Sequence, residues 1–223
     1  MTEQLNEIIS YVSYTQGEGT EMPYNWDLLI CRLNDAYHDQ AIADLVPSSF
    51  ASYPKMIAFS EPMTYTHISG VYTFFTGEAN VNVNYPDFII PFTAAHEMSH
   101  QRGIAREDDA NFMAFIVCEV STDRYIRYSG LLNMYEYISN DLYKTSPNDY
   151  FSVYSHLDDR VKRELADYRA FFDKYADSEI SSISNVVNNL YLSVQGTEGV
   201  ISYDLVTELY IALLFERDIL RKS

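Results

Sequence analysis

The apolar positions of this chain change period twice along its length. Over residues 1–16, Leu5, Ile8, Ile9 and Val12 recur at helical spacing and share one face. Residues 17–23, rich in Gly and Glu, read as a loop. A second helix is expected over 25–45, ending ahead of Pro47, because proline pushes the residue before it out of the helical region. Residues 55–60 and 70–75 are short runs of β-branched or aromatic residues bounded by Pro, Gly and Ser, and so read as strands. Over 77–84 the pattern alternates. Ala79, Val81 and Val83 point one way and Glu78, Asn80, Asn82 and Asn84 the other, as in a half-buried strand of period two.

From Pro91 onward the period is helical. Proline suits a first helical turn, where its missing N–H costs nothing, and Gly103 suits a helix end. The next helix opens with Glu107, Asp108 and Asp109 and carries Ala110, Phe112, Met113, Ala114 and Val117. Further helices are expected near 131–143, 149–176, 179–193 and 202–220. The pattern predicts an α+β fold, mostly helical, with a small sheet ahead of the central helix. It reads as one domain over 1–223: a helical part (1–50), a section with the sheet and the two central helices (51–128), and a helical end (129–223).

Composition narrows this picture. With 223 residues, 47% of them hydrophobic, the chain can bury a sizeable core. Its net charge of −17 repels phosphate backbones and anionic lipid, which argues against nucleic-acid binding and direct membrane adsorption. Cys31 and Cys118 lie in helical patterns and are expected to be buried free thiols. No apolar run is long enough to span a bilayer, and the first residues lack the features of a signal peptide.

The chemistry concentrates in His96-Glu97-Met98-Ser99-His100. Histidines four apart on a helix lie on one face, one turn apart, so both can hold a single ion. Glu97 sits about 100° round from His96, too far to be a comfortable ligand but placed to take a proton from a metal-bound water. A catalytic zinc site needs a third protein ligand and an open position. Arg106 occupies the place of a third histidine in the longer H-E-x-x-H-x-x-G-x-x-H pattern, and arginine cannot ligate a cation. Glu107 follows in the first turn of the next helix, which Gly103 lets fold back. An acidic first turn is also ordinary helix capping, and Asp108 and Asp109 remain alternatives as the third ligand.

The stretch Phe75-Thr76-Gly77-Glu78-Ala79-Asn80-Val81-Asn82 and the block PFTAAHEMSHQRGIAREDDANF over residues 91–112 closely resemble the bacterial family called domain of unknown function 3810. Arg127-Tyr128-Ser129-Gly130 and Gly199-Val200-Ile201-Ser202-Tyr203 resemble its later motifs, so the likeness runs from about residue 50 to the end. The resemblance implies a zincin-like fold of the glutamate-zincin group, a Zn2+ site and peptide or protein substrates. Related peptidases place the third ligand in Glu-x-x-Ala-Asp or Glu-x-x-Ala-Asn. That pattern matches Glu107 to Asn111, supports Glu107 as ligand, and makes Asn111 a group that orients one. The family also implies transmembrane helices ahead of this domain, so the chain is expected to be the soluble, extracytoplasmic portion of a protein in the bacterial cell membrane, held there only by an anchor this chain does not contain. Asp109 and Asp204 depart from the pattern at positions expected to be Glu and Gly.

In zincins an edge strand ahead of the motif helix pairs with extended substrate, which makes Glu78, Asn80 and Asn82 candidate substrate-binding residues. An ordinary strand with one solvated face reads equally well. Tyr128 and Tyr203 are candidate catalytic phenols for the oxyanion, with His67 a weaker one, although 20 tyrosines make packing the commoner use. His38 and His156 read as surface residues. Two functions follow: a zinc-dependent endopeptidase with Glu97 as general base, or a non-hydrolytic zinc-holding regulatory or interaction module.

Overall fold

The computed structural model describes residues 1–15, 19–43, 45–47, 49–176 and 202–222, with the side chains of the last helix described over 205–217. The N-terminal helix α1 (Thr2–Ile8) runs into a 3-10 turn, Ile9–Tyr11. It stops short of the expected residue 16 because Tyr14–Thr15 (β1) pairs antiparallel with Gly19–Thr20 (β2). The expected helix over 25–45 is two: α2 (Trp26–Tyr37), capped by the Asn25 side chain accepting from the Leu28 N–H at 3.0 Å, and the short α3 (Gln40–Ala43).

The sheet lies where the sequence predicts it, in shorter strands. β3 (Lys55–Met56), β4 (Gly70–Thr73) and β5 (Glu78–Val81) pair in the order β3-β5-β4, and α4 (Ser60–Thr64) lies between the first two in sequence. β5 runs parallel to β3 and antiparallel to β4. Ala79 and Val81 are buried as the alternation requires.

Three long helices pack on one another, α5 (Ile89–Gln101), α6 (Glu107–Val120) and α7 (Arg124–Thr145), and α5 packs against β4 and β5. α7 begins earlier than expected because Asp123 caps it, accepting from the Ile126 N–H at 2.9 Å. The expected helix over 149–176 is broken into α8 (Pro147–Ser155) and α9 (Asp159–Ala176). At the break Asn6 accepts from the Asp158 N–H (2.7 Å) and donates to the His156 carbonyl (2.8 Å), so a side chain of α1 satisfies the interrupted backbone. The last helix, α10 (Ser202–Lys222), packs on α6 and α7, where Arg217 forms a bidentate pair with Glu119. The expected helix at 179–193 lies outside the described residues.

One cluster of buried apolar side chains runs from Leu5 through Leu33, Phe88, Met98, Phe115 and Leu132 to Tyr210, so all three predicted sections share a core. Cys118 is buried and free as expected, whereas the free Cys31 is exposed on the outer face of α2. Among the described residues no helix is long and apolar enough to cross a membrane.

Candidate metal centre

Helix α5 is buried nearly all round: every residue except His96 and Gln101 is enclosed. Such a helix is stable in a core only if its polar groups find partners. The Tyr37 hydroxyl donates to the Ala95 carbonyl at 2.6 Å and lies 2.7 Å from Ser99 Oγ, which reaches the same carbonyl at 3.0 Å. At the other end, the Phe92 N–H donates to Ser129 Oγ at 3.1 Å, and Ser129 in turn donates to the Phe88 carbonyl. Gly130 adds a close approach: a Cβ there would stand 2.3 Å from Cys118 Cβ, so only glycine lets α7 meet α6 at this depth. The Arg127–Gly130 stretch thus holds the scaffold around α5.

The end of α5 is set by Gly103, at φ +95°. Its N–H donates to the His100 carbonyl at 3.0 Å, and the Ile104 N–H reaches back to Ser99 at 3.2 Å, the two bonds of a Schellman turn. This turn carries the Ile104 carbonyl to 2.7 Å from His100 Nδ1. A carbonyl only accepts, so Nδ1 carries a proton here, which leaves Nε2 as the nitrogen that would face a metal.

After the turn, α6 folds back along α5, and Ala110 and Ala114, both fully buried, let the helices close. Glu107 Oε2 lies 3.1 Å from His96 Nε2 and 3.6 Å from His100 Nε2, and the two nitrogens are 3.0 Å apart. A tetrahedral ion with bonds of about 2.0–2.1 Å holds neighbouring donor atoms about 3.3 Å apart, so these separations fit one zinc-sized ion. The alternatives are turned elsewhere. Asp108 is buried and forms a bidentate pair with Arg106 at 2.6 and 3.1 Å, and Asp109 is exposed. Asn111 is buried one turn beyond Glu107, but no hydrogen bond joins its side chain to the three donors.

Electrostatics separate the two glutamates. Burial raises the Glu97 carboxyl to about 7, opposed by the neighbouring histidines. Burial acts on Glu107 too, but hydrogen bonds from His100 and His96 outweigh it and hold its carboxyl well below the usual range. For His100, burial disfavours the charged form, and the hydrogen bond and charge of Glu107, the charge of Glu97 and the Ile104 carbonyl together outweigh it and raise its pKa. Glu107 is therefore the settled anion of the cluster and Glu97 a group near neutrality. Glu97 Oε2 and His96 Nδ1 are both buried without a hydrogen-bond partner. The His96 and Glu107 side chains keep 13% and 18% exposure, so the cluster is reached from solvent on that side.

Strand β4 comes closest to Glu97. A Cβ on Gly70 would lie 2.3 Å from Glu97 Oε1 and 2.8 Å from both Glu97 Cγ and Thr93 Cγ2. Gly70→Ala is expected to force strand and helix apart at about 1–3 kcal/mol, measured by denaturant unfolding; unchanged stability would show that this contact is loose. The Tyr72 ring stacks on His100 at 5.8 Å and 19°. Gly70 and Tyr72 were not singled out from sequence, although a glycine at the start of a strand signals a close backbone approach.

Several expected site residues are elsewhere. β5 is the central strand rather than an edge; the edge beside α5 is β4. Glu78 pairs with Lys55. Asn80 donates to the Val71 and Glu78 carbonyls at 3.4 and 3.3 Å. Asn82, 1% exposed, donates to Thr64 Oγ1 and the Ile68 carbonyl, so it fastens the turn ahead of β4. These three side chains brace the sheet. Tyr128 is fully buried, and its hydroxyl donates to Glu164 of α9, a carboxylate that also accepts from the Thr20 N–H at 2.9 Å. Its phenol is engaged in that contact and is not free for an oxyanion. Tyr128→Phe is expected to cost about 1–3 kcal/mol through a weakened buried carboxylate network and to leave metal content unchanged, by unfolding and metal analysis; a loss of metal would return Tyr128 to the site. The Tyr203 side chain, and residues 199–201 of the same motif, lie outside the described residues. His67, at φ 57°, stacks on Phe172 at 5.5 Å. His38 and His156 are exposed at helix ends, each against a backbone carbonyl of its own helix.

No curated protein and no solved structure matches the chain. A family model does, described as protein of unknown function (DUF3810), over residues 2–211, which include α1 and the first 50 residues as well as the metal-donor cluster and the Arg127–Gly130 stretch. By that match the chain belongs to the DUF3810 family.

Proposed function

We propose that this protein is a zinc-dependent peptidase with a zincin-like fold of the glutamate-zincin kind. The observation that carries the reading is the convergence of His96 Nε2, His100 Nε2 and Glu107 Oε2 within 4.8 Å of one another, beside a buried Glu97 that is not one of the three. A purely structural metal site has no use for that fourth group. When bound, the ion would lower the pKa of a water molecule and polarise a scissile carbonyl. Glu97 accepts a proton from the attacking water and delivers it to the leaving amine as the C–O bond forms and the C–N bond breaks; its unpartnered Oε2 and its carboxyl near 7 suit a group that must hold and release a proton. Gly70 keeps β4 against Glu97, so an extended polypeptide adding to this edge would pass the carboxylate. The Ile104 carbonyl and the Tyr72 ring fix the plane of His100. By the family resemblance, the protein acts at the outer face of a bacterial membrane.

The test uses unfolded casein and a mixed peptide library, read by mass spectrometry. Cleavage is expected with zinc, lost with a chelator and restored by adding zinc back. The enclosure of Glu97 and His100, at 4% and 7% exposure, favours the second reading, a zinc-holding module that cuts nothing. Tight zinc binding with no cleavage would support it.

A further inference from the structure

The Arg127-Tyr128-Ser129-Gly130 stretch holds a second feature, independent of the metal cluster. Tyr128, Ser129 and Gly130 each meet a packing partner, respectively Glu164, the start of α5, and Cys118. Arg127 differs. Its Nε is buried without a hydrogen-bond partner, and no acidic side chain among the described residues pairs with it. One turn earlier Arg124 also has no acidic partner, and its guanidinium stacks 4.3 Å over the Tyr11 ring. The two line one open cavity of about 210 Å³, together with Gln4, Glu7, Ile8 and Tyr11.

The chain has 32 acidic residues against 15 Lys and Arg; Arg32, Arg106, Arg160 and Arg217 each pair with a carboxylate, Arg102 donates to Ser52 and the Met98 carbonyl, Arg169 to Tyr150, and Arg163 is exposed. Guanidiniums left unpaired where acids are in twofold excess, and directed at the same cavity, form a local positive site on a negative surface. With the Arg127 Nε enclosed and no carboxylate among the described residues pairing either side chain, the guanidinium ends of Arg124 and Arg127 that line the cavity are the groups an incoming oxyanion would meet. Paired guanidiniums match phosphate better than a single charge does, because each can donate two parallel N–H bonds. Liquid water takes roughly 30 Å³ per molecule, so the cavity admits a phosphate group with part of its ester.

We infer that the cavity between the N-terminal helix and the start of α7 binds a phosphate group, presented either by a free phosphate ester or by a lipid headgroup, with Arg124 and Arg127 as its donors. Glu7 is exposed at the same cavity and opposes the anion, which gives the test a sign of its own.

The full chain and its Arg124→Gln, Arg127→Gln and Glu7→Gln variants are titrated with inorganic phosphate and with glycerol phosphate by calorimetry. They are also sedimented with phosphatidylglycerol–phosphatidylcholine vesicles and with phosphatidylcholine alone. Circular dichroism confirms that each variant folds. Loss of charge-assisted bonds should weaken binding at least tenfold in each arginine variant, and Glu7→Gln should tighten it severalfold. Arginine-dependent binding of free phosphate identifies a soluble ester; arginine-dependent sedimentation with the phosphatidylglycerol vesicles identifies a headgroup. Binding of neither by wild type, or equal binding by folded arginine variants, overturns the proposal.

Discussion

Glu97→Gln protein is expected to fold and to hold zinc as the wild type does, while peptide cleavage falls by about 10²–10⁴-fold, the usual worth of general-base catalysis. Glutamine has nearly the shape of glutamate, so the tight contact with Gly70 and Thr93 survives. The three metal donors belong to other residues, so zinc content should not change. What is lost is the ability to accept a proton from water and return it to the amine. Because burial already disfavours the Glu97 anion, the neutral amide should not lower the melting temperature. Cleavage is read by mass spectrometry and zinc by atomic absorption on the same preparations. Equal cleavage by both proteins would expose a contaminating protease and remove Glu97 from the mechanism.

The second large effect concerns the metal. His96→Ala, His100→Ala and Glu107→Gln are each expected to abolish tight zinc binding, since a catalytic site offers only three protein ligands. Asp108→Asn and Asp109→Asn should leave it intact, because Asp108 is engaged by Arg106 and Asp109 faces solvent. Stability carries the same information. A ligand at 100 times its Kd stabilises the folded state by about 2.7 kcal/mol, so wild type should melt higher as zinc is added and the three ligand variants should not respond. Asp108→Asn should still melt at a lower temperature than wild type, because the enclosed carboxylate loses its charge-assisted bonds to the exposed Arg106, while keeping its response to zinc. Should Asp108→Asn lose zinc and Glu107→Gln keep it, the register of α6 against α5 is wrong.

The features legible in the sequence are those set by neighbours along the chain. The i, i+4 spacing of His96 and His100 fixes their common face once the segment is helical. Gly103 stands where the backbone must turn left-handed, and it does so at φ +95°. The strands over 70–73 and 78–81 lie within the predicted runs, and Ala79 and Val81 are buried as their alternation requires. Arg106 excludes a third histidine by its chemistry alone.

Other features depended on segments far apart in sequence. Alternation gives a strand its buried face but not its neighbours, so β5, rather than lying at the edge, is held between β3 and β4. The polar face of that strand looks available in sequence, yet Asn82 is taken by Thr64 and Ile68. Tyr128 is spent on Glu164, 36 residues on, and Gly70 owes its place to Glu97 on another element. The helix that should have run from 149 to 176 breaks where Asn6 of the first helix can satisfy its backbone.

Helical periodicity, turn glycines and the spacing of the two histidines were therefore determined by the sequence itself, because they depend on dihedral preferences and on side chains a few residues apart. Only the tertiary structure decided which of three adjacent acids joins the histidines, which strand lies against the carboxylate and which tyrosine is spent on packing. Those outcomes rest on how helices and strands distant in sequence close on one another, where a methyl group's difference in the space at Gly70 or Gly130 sets which groups can meet.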